Sequence, residues 1–156
     1  MAYQKLQVSR GLVVIPSDTV DIPFPGALMI SSATTGASAG KLIDTAGDFI
    51  NKGVRPGDII YDESTPPVAS QVTLVDSATQ LSVSTAIPTT TNYKLYQGGQ
   101  NSGCVLYVGT TGNVDVITAG GDTVLFTAMP VGMFMPVEVT RVKATLTTAS
   151  TIVALW

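Results

Sequence analysis

Glycine, proline, threonine and serine interrupt this chain about every eight to twelve residues, and short β-branched runs lie between them. β-Branched side chains suit a pleated, half-buried surface, and the regular turn signals set the length of each run. The pattern therefore predicts an all-β fold, a sandwich or a barrel. With 156 residues there is room for one ordinary domain, or for two very small ones.

Leu12 to Ile15 is the first expected strand, ended by Pro16-Ser17-Asp18. Ile22-Pro23-Phe24-Pro25 reads as extended, since a residue before proline is pushed out of the α region. Residues 26–40 are small and nearly uncharged, and suit either a linker or a strand of weak register. In "KLIDTAGDFINKGVRPGDIIYD", residues 41–62, Asp44 or Thr45 is placed to cap one helical turn, with Gly53 as its left-handed stop. Pro56-Gly57 then turns into a strand over 58–62. Gln71 to Val75 and Gln80 to Ser84 form a hairpin pattern, and Tyr93 to Tyr96 adds a strand before the glycine-rich exit at 98–103.

The C-terminal stretch is the most regular. Val105 and Tyr107, then Val114 and Val116, alternate on strands joined by Gly109-Thr110-Thr111-Gly112, and 119–122 turns the chain into 123–127. Between Pro136 and Thr145 the phase changes, with Val137 and Val139 on one face and Val142 and Ala144 on the other. A β-bulge near Thr140-Arg141 would restore one buried face. The last run, Ile152 to Trp156, is apolar on both faces and has to lie inside the fold or under another chain. The expected architecture is a β-sandwich or jelly-roll-like body from 1–25 and 104–156. Into it 26–103 is inserted as a small β-barrel-like module containing one short helical turn.

Composition narrows the function. Hydrophobic residues make up 45% of the chain and charged residues 12%, about half the usual charged share, so Thr, Ser and Gly cover the surface or another subunit does. Lys5, Arg10, Lys41, Lys52, Arg55, Lys94, Arg141 and Lys143 are scattered, and a net charge of -3 gives phosphates nothing to bind. No nucleic-acid partner is expected. No membrane partner is expected either, because the longest apolar runs are too short to span a bilayer and the N-terminus lacks a secretory core.

Histidine is absent, which removes the commonest general base and transition-metal ligand and excludes a Ser-His-Asp arrangement. Cys104, the single cysteine, sits in a strand-like run and reads as a buried, inert thiol. Asp44 with Asp48, the group Asp58, Asp62 and Glu63, and the pair Asp18 and Asp21 read as a cap and solvated turn residues in preference to acid-base or calcium sites. The segments "GGQNSG" and "GTTG" lack the lysine and helix of a phosphate loop. No catalytic, cofactor-binding or metal residue is expected, and no enzyme. Interface candidates are Met129 and, between Pro130 and Pro136, Met133, Phe134 and Met135, soft side chains that suit either an ordinary core or a loop inserted into a neighbouring subunit, together with Ile152, Leu155 and Trp156 of the last run.

The segments "CVLYVGTTGNVDVITAGGDTVLF" and "MPVEVTRVKATLTTASTIVALW", with "VIPSDTVDIP" at 14–23, resemble the head spike base proteins of tailed phages and gene transfer agents, and related cyanophage virion proteins. The resemblance covers about half the chain, in two pieces. Residues 26–103 stand between them, and Leu146 and Ser150 replace a more usual glycine and aspartate. The inserted part is similar to a β-rich module recurring in phage virion proteins.

The resemblance implies a non-enzymatic particle protein on the outer capsid surface, assembled in the host cytoplasm, as a decoration (cement) protein or the base of a vertex spike. Its partners would be the major capsid protein, copies of itself and a spike or fibre protein. The alternative is a tail- or neck-associated structural protein, or an adhesion module binding a glycan through Tyr61, Tyr93 and Tyr96.

Overall fold

In the computed structural model, which describes residues 8–156, the chain is all-β. In chain order the strands are β1 (Gly11–Val13), β2 (Leu28–Ala33), β3 (Gly36–Ser38), β4 (Lys41–Ile43), β5 (Ile59–Asp62), β6 (Ala69–Ser77) and β7 (Gln80–Val83). There follow β8 (Asn92–Tyr96), β9 (Cys104–Val108), β10 (Gly112–Thr118), β11 (Thr123–Met129), β12 (Met133–Val142) and β13 (Val153–Leu155). The described part divides into two compact units, 8–18 with 102–156 and 19–101. The sequence pattern suggests divisions after 25 and 103 instead. Residues 19–25 go with the second unit, where Val20 and Ile22 are buried. Residues 1–7 of the expected body lie outside the described residues.

The first unit holds one antiparallel sheet in the order β1-β13-β9-β12-β10-β11. Long β12 organises it: Met133 to Met135 pair with β9, and Arg141 and Val142 pair with β10. At the change of partner Ile117 faces Arg141 while Thr118 faces Val139, which leaves Thr140 as the extra residue of a bulge. The Thr140 hydroxyl donates to the Ile117 carbonyl at 3.3 Å. The bulge turns Val139 and Val142 onto the same buried side, although they are three positions apart. Leu106, Val108 and Ala154 on one wing of the sheet and Val114 and Val116 on the other are fully buried, so the wings close on one core in sandwich fashion.

One detail differs from the sequence pattern. β9 and β10, joined by 109–112, do not pair with each other; both are neighbours of β12. The Ser150 N–H donates to Thr110 Oγ1 at 2.6 Å, and that bond ties the connecting turn to the 148–151 loop. The last run does lie within the sheet, where β13 sits between β1 and β9 with Ala154 fully buried and Val153 and Leu155 half-buried on the opposite face.

The second unit holds the order β2-β8-β5-β6-β7-β4-β3. Its end strands β2 and β3 are separated only by Thr34 and Thr35, so one continuous stretch, 28–38, pairs with β8 at one end and β4 at the other. That connection closes the sheet on itself as a small barrel. Thr34 fixes the bend: its Oγ1 donates to the Pro88 carbonyl at 3.0 Å and accepts from the Thr91 N–H at 3.1 Å. Ile30, Leu42, Phe49, Ile60, Val72, Leu81, Tyr93 and Leu95 fill the interior.

The helical turn expected over 44–53 is a run of hydrogen-bonded turns instead. Asp48 adopts φ 49, which a helix cannot continue through, although Asp44 does cap the Ala46 N–H at 2.8 Å and Gly53 does take the left-handed stop at φ 75. The one helical turn among the described residues is the 3-10 turn Pro25–Ala27.

Candidate interaction surface

The carboxylates were the best sequence candidates for chemistry, and the fold uses them as internal struts. Asp44, read as a cap, is buried, and so are Asp58 and Asp62, which their turn-rich context suggests are solvated. Asp44 accepts from the Tyr93 hydroxyl at 2.7 Å and from the Ala46 N–H. Asp58 accepts from the Arg55 N–H at 2.8 Å and the Gly98 N–H at 3.0 Å, and Asp62 accepts from the Val68 N–H at 2.6 Å and from Ser64. Glu63 is an outer partner of Lys94 at 3.0 Å, and Asp18 accepts from Thr145 twice. Turn residues with short side chains close local loops by accepting backbone N–H groups, and buried loops need this most. Among the described residues no three His, Cys, Asp or Glu side chains come together as a metal site.

Tyr93, Tyr96 and Tyr61 are 0%, 3% and 6% exposed, so none of the three offers a ring face for a sugar. Burial, then the bond to Asp44, pushes the Tyr93 phenol far above its ordinary range, and burial raises Tyr96 too. Tyr61 and Tyr96 pack edge to face, with ring centroids 6.2 Å apart. These rings are core, which removes the stacking platform that glycan binding by the module would need.

Lys41 donates to Ser82 Oγ at 2.6 Å and to Asp76 at 3.0 Å, and Ser82 donates to Asp76 at 2.8 Å. The Ser82 and Lys41 bonds hold Asp76 below the usual carboxylate range. An ammonium that donates to serine and carboxylate alike is no base for the serine, so this is an ion pair between Lys41 of β4 and Asp76 of β6, bridged by Ser82 of the intervening β7. Cys104 is buried, its thiol donating to the Val139 carbonyl at 3.1 Å. A cleft of about 590 Å³ in the second unit is lined by Asp21, Arg55, Asp58, Gln71 and Gln97 among others and contains no aromatic side chain.

The seven interface candidates separate by burial. Met129, Met135 and Ile152 point into the core of the first unit and are unavailable to a partner in the folded state. Met133 and Phe134 are exposed, with Phe134 at 52%, and Leu155 and Trp156 are half-buried beside a second cleft of about 290 Å³.

The register extends this surface beyond the residues that sequence singled out. Val13 faces Val153, Val153 faces Tyr107, and Tyr107 faces Phe134, so four apolar side chains form one row across β1, β13, β9 and β12. Residues directly opposite share a face, and the next row inward, Leu12, Ala154, Leu106 and Met135, lies on the core side. The Tyr107 and Phe134 rings lie 5.3 Å apart, and Val13 at the far end of the row is 62% exposed. Strand pairing made this patch, and strand pairing was the part the sequence pattern left unread.

Comparison with protein-family models, with curated proteins and with solved structures finds no match.

Proposed function

We propose that the protein is a structural component of a phage particle, bound to the outer capsid surface as a decoration protein or spike base, and that it works by adhesion and not by chemistry. The single observation carrying adhesion is the outward row Val13, Val153, Tyr107 and Phe134, an apolar surface without a charge among those residues. Such a contiguous patch on a chain with few charges marks an interaction site. The particle itself is supported by the resemblance of 14–23 and of the C-terminal pieces to head spike base proteins.

The shell protein supplies the matching apolar surface, and the occupied shell is stabilised by mass action. Mass spectrometry of purified particles from the encoding phage tests the reading, followed by particle imaging to place the chain. The expected result is the chain in stoichiometric amount in washed particles; its absence from them overturns the proposal. The burial of Tyr61, Tyr93 and Tyr96 weighs against the glycan-binding alternative.

A further inference from the structure

The sheet of the first unit ends at β11. Thr123–Met129 pairs on one side with β10, and among the described residues no strand pairs with the other side. An open edge presents a row of unpaired N–H and C=O groups, which proteins guard with charges, prolines or brevity. β11 has seven residues, TVLFTAM, without a charge or a proline, and its one irregularity is the bulge at Ala128 (φ 51), beyond the regular stretch Thr123 to Phe126. The uncharged stretch runs on to Val137, from Asp122 at one end to Glu138 at the other.

The core also stops short at this edge. Val124 and Phe126 stand opposite Val116 and Val114, which are fully buried, yet both are themselves only half-buried. One further strand would complete their cover. Leu125, on the opposite face, is exposed.

We propose that β11 pairs antiparallel with β11 of a second copy of this chain, about a two-fold axis through Leu125. In that register Val124 lies opposite the second copy's Phe126, Thr123 opposite its Thr127, and Leu125 opposite its own counterpart. Aromatic with β-branched, Thr with Thr, and Leu with Leu are all favourable cross-strand neighbours. A slip by one residue would set core-side Val124 and Phe126 against outward side chains, so the faces themselves hold the register.

The self-complementary pairing of these strand residues selects a second copy as the occupant, and the absence of charge on β11 permits it. Each copy carries a net charge of -3, so two copies repel across most of their surfaces and meet at least cost along an uncharged strand. The contact is isologous and closes at two copies through this edge.

Light scattering of the full chain across a range of concentrations, with Leu125→Lys and Leu125→Cys beside the wild type, tests the proposal. The wild type is expected to be a dimer, and Leu125→Lys, which sets like charges opposite one another, raises its dissociation constant at least about tenfold. Leu125→Cys forms an oxidised dimer at a rate that Val131→Cys, off the strand, does not match. A wild type that is monomeric throughout overturns the proposal, as does a dimer that Leu125→Lys leaves intact. Should Leu125→Lys fail to fold by circular dichroism, the cross-link decides, and its absence overturns the proposal. The proposal stands apart from the particle reading: a dimer in solution with no chain in particles defeats only the latter.

Discussion

The Tyr93 hydroxyl donates a 2.7 Å hydrogen bond to Asp44 Oδ2 between two fully buried side chains, joining the β8 strand to the turn that follows β4. Tyr93→Phe leaves the Asp44 oxygen without that donor while keeping the ring, so it is expected to destabilise the second unit by about 1–3 kcal/mol. Urea denaturation at neutral pH measures it. A change below a few tenths of a kcal/mol would mean the bond has no net value.

The same bond fixes the alkaline behaviour. Burial and Asp44 raise the folded pKa of Tyr93 above the ordinary value of 10.0, so above that pH the unfolded chain loses a proton that the folded chain keeps. The unfolded state then binds fewer protons and stability falls with rising pH, by up to about 1.4 kcal/mol per pH unit for each such tyrosine. Tyr96 shifts in the same direction through burial. The urea midpoint is expected to hold steady up to about pH 9.5 and fall beyond it, and Tyr93→Phe should flatten the fall. An unchanged slope in the variant would assign the effect to other groups.

Asp115 and Lys143 give an asymmetric pair of outcomes. Asp115 is 1% exposed, and its Oδ2 lies 3.2 Å from Lys143 Nζ without the alignment of a hydrogen bond. Removing the lysine leaves a buried carboxylate uncompensated, so Lys143→Ala is expected to cost about 3 kcal/mol. Pairing that change with Asp115→Asn should recover part of the loss, because the charge that needed a partner is gone. Thermal midpoints of both single variants and the double variant measure this coupling, and simple additivity would contradict it.

Neighbouring glycines at 98 and 99 separate space from backbone conformation. A Cβ on Gly98 would collide with the Gly57 carbonyl oxygen, whereas Gly99, at φ 71, has open space around it. Gly98→Ala should therefore cost more than about 2 kcal/mol through overpacking, and Gly99→Ala about 1 kcal/mol through its left-handed φ. Equal losses in chemical denaturation would contradict the close approach. The sequence marks both residues only as an exit linker, since glycine content does not distinguish a free chain from one pressed against a carbonyl.

Local pattern was legible where one strand carries the whole signal, as with the phase change from Val139 to Val142 that places the bulge at Thr140. The hairpin of β6 and β7 was legible for the same reason, from its turn residues. Pairing between distant strands was not, because the alternation of β9 and β10 is the same whether they pair with each other or both with β12. The candidate surface shows the same limit: Phe134 stands out by composition, but Val13, Tyr107 and Val153 join it only through register. Asp58 and Asp62 were misread because a short acidic side chain that accepts loop N–H groups has no sequence signal distinct from a solvated one.

Phe134 and Met135 are adjacent on β12 and face opposite ways, so they divide adhesion from folding. Met135 is fully buried, and Met135→Ser is expected to cost about 3 kcal/mol and lower the thermal midpoint sharply. Phe134, 52% exposed and packed against Tyr107 with the rings tilted, should cost about 0.5 kcal/mol when changed to Ser. If the row from Val13 to Phe134 seats on the shell, loss of a central aromatic anchor weakens that contact by about 2 kcal/mol, roughly thirtyfold in affinity. Co-sedimentation of Phe134→Ser with particles stripped of the native chain measures the second effect, and a melting curve measures the first. Full binding by a well-folded Phe134→Ser would move adhesion away from this face, whereas lost binding at unchanged stability places the contact on the outer side of β12.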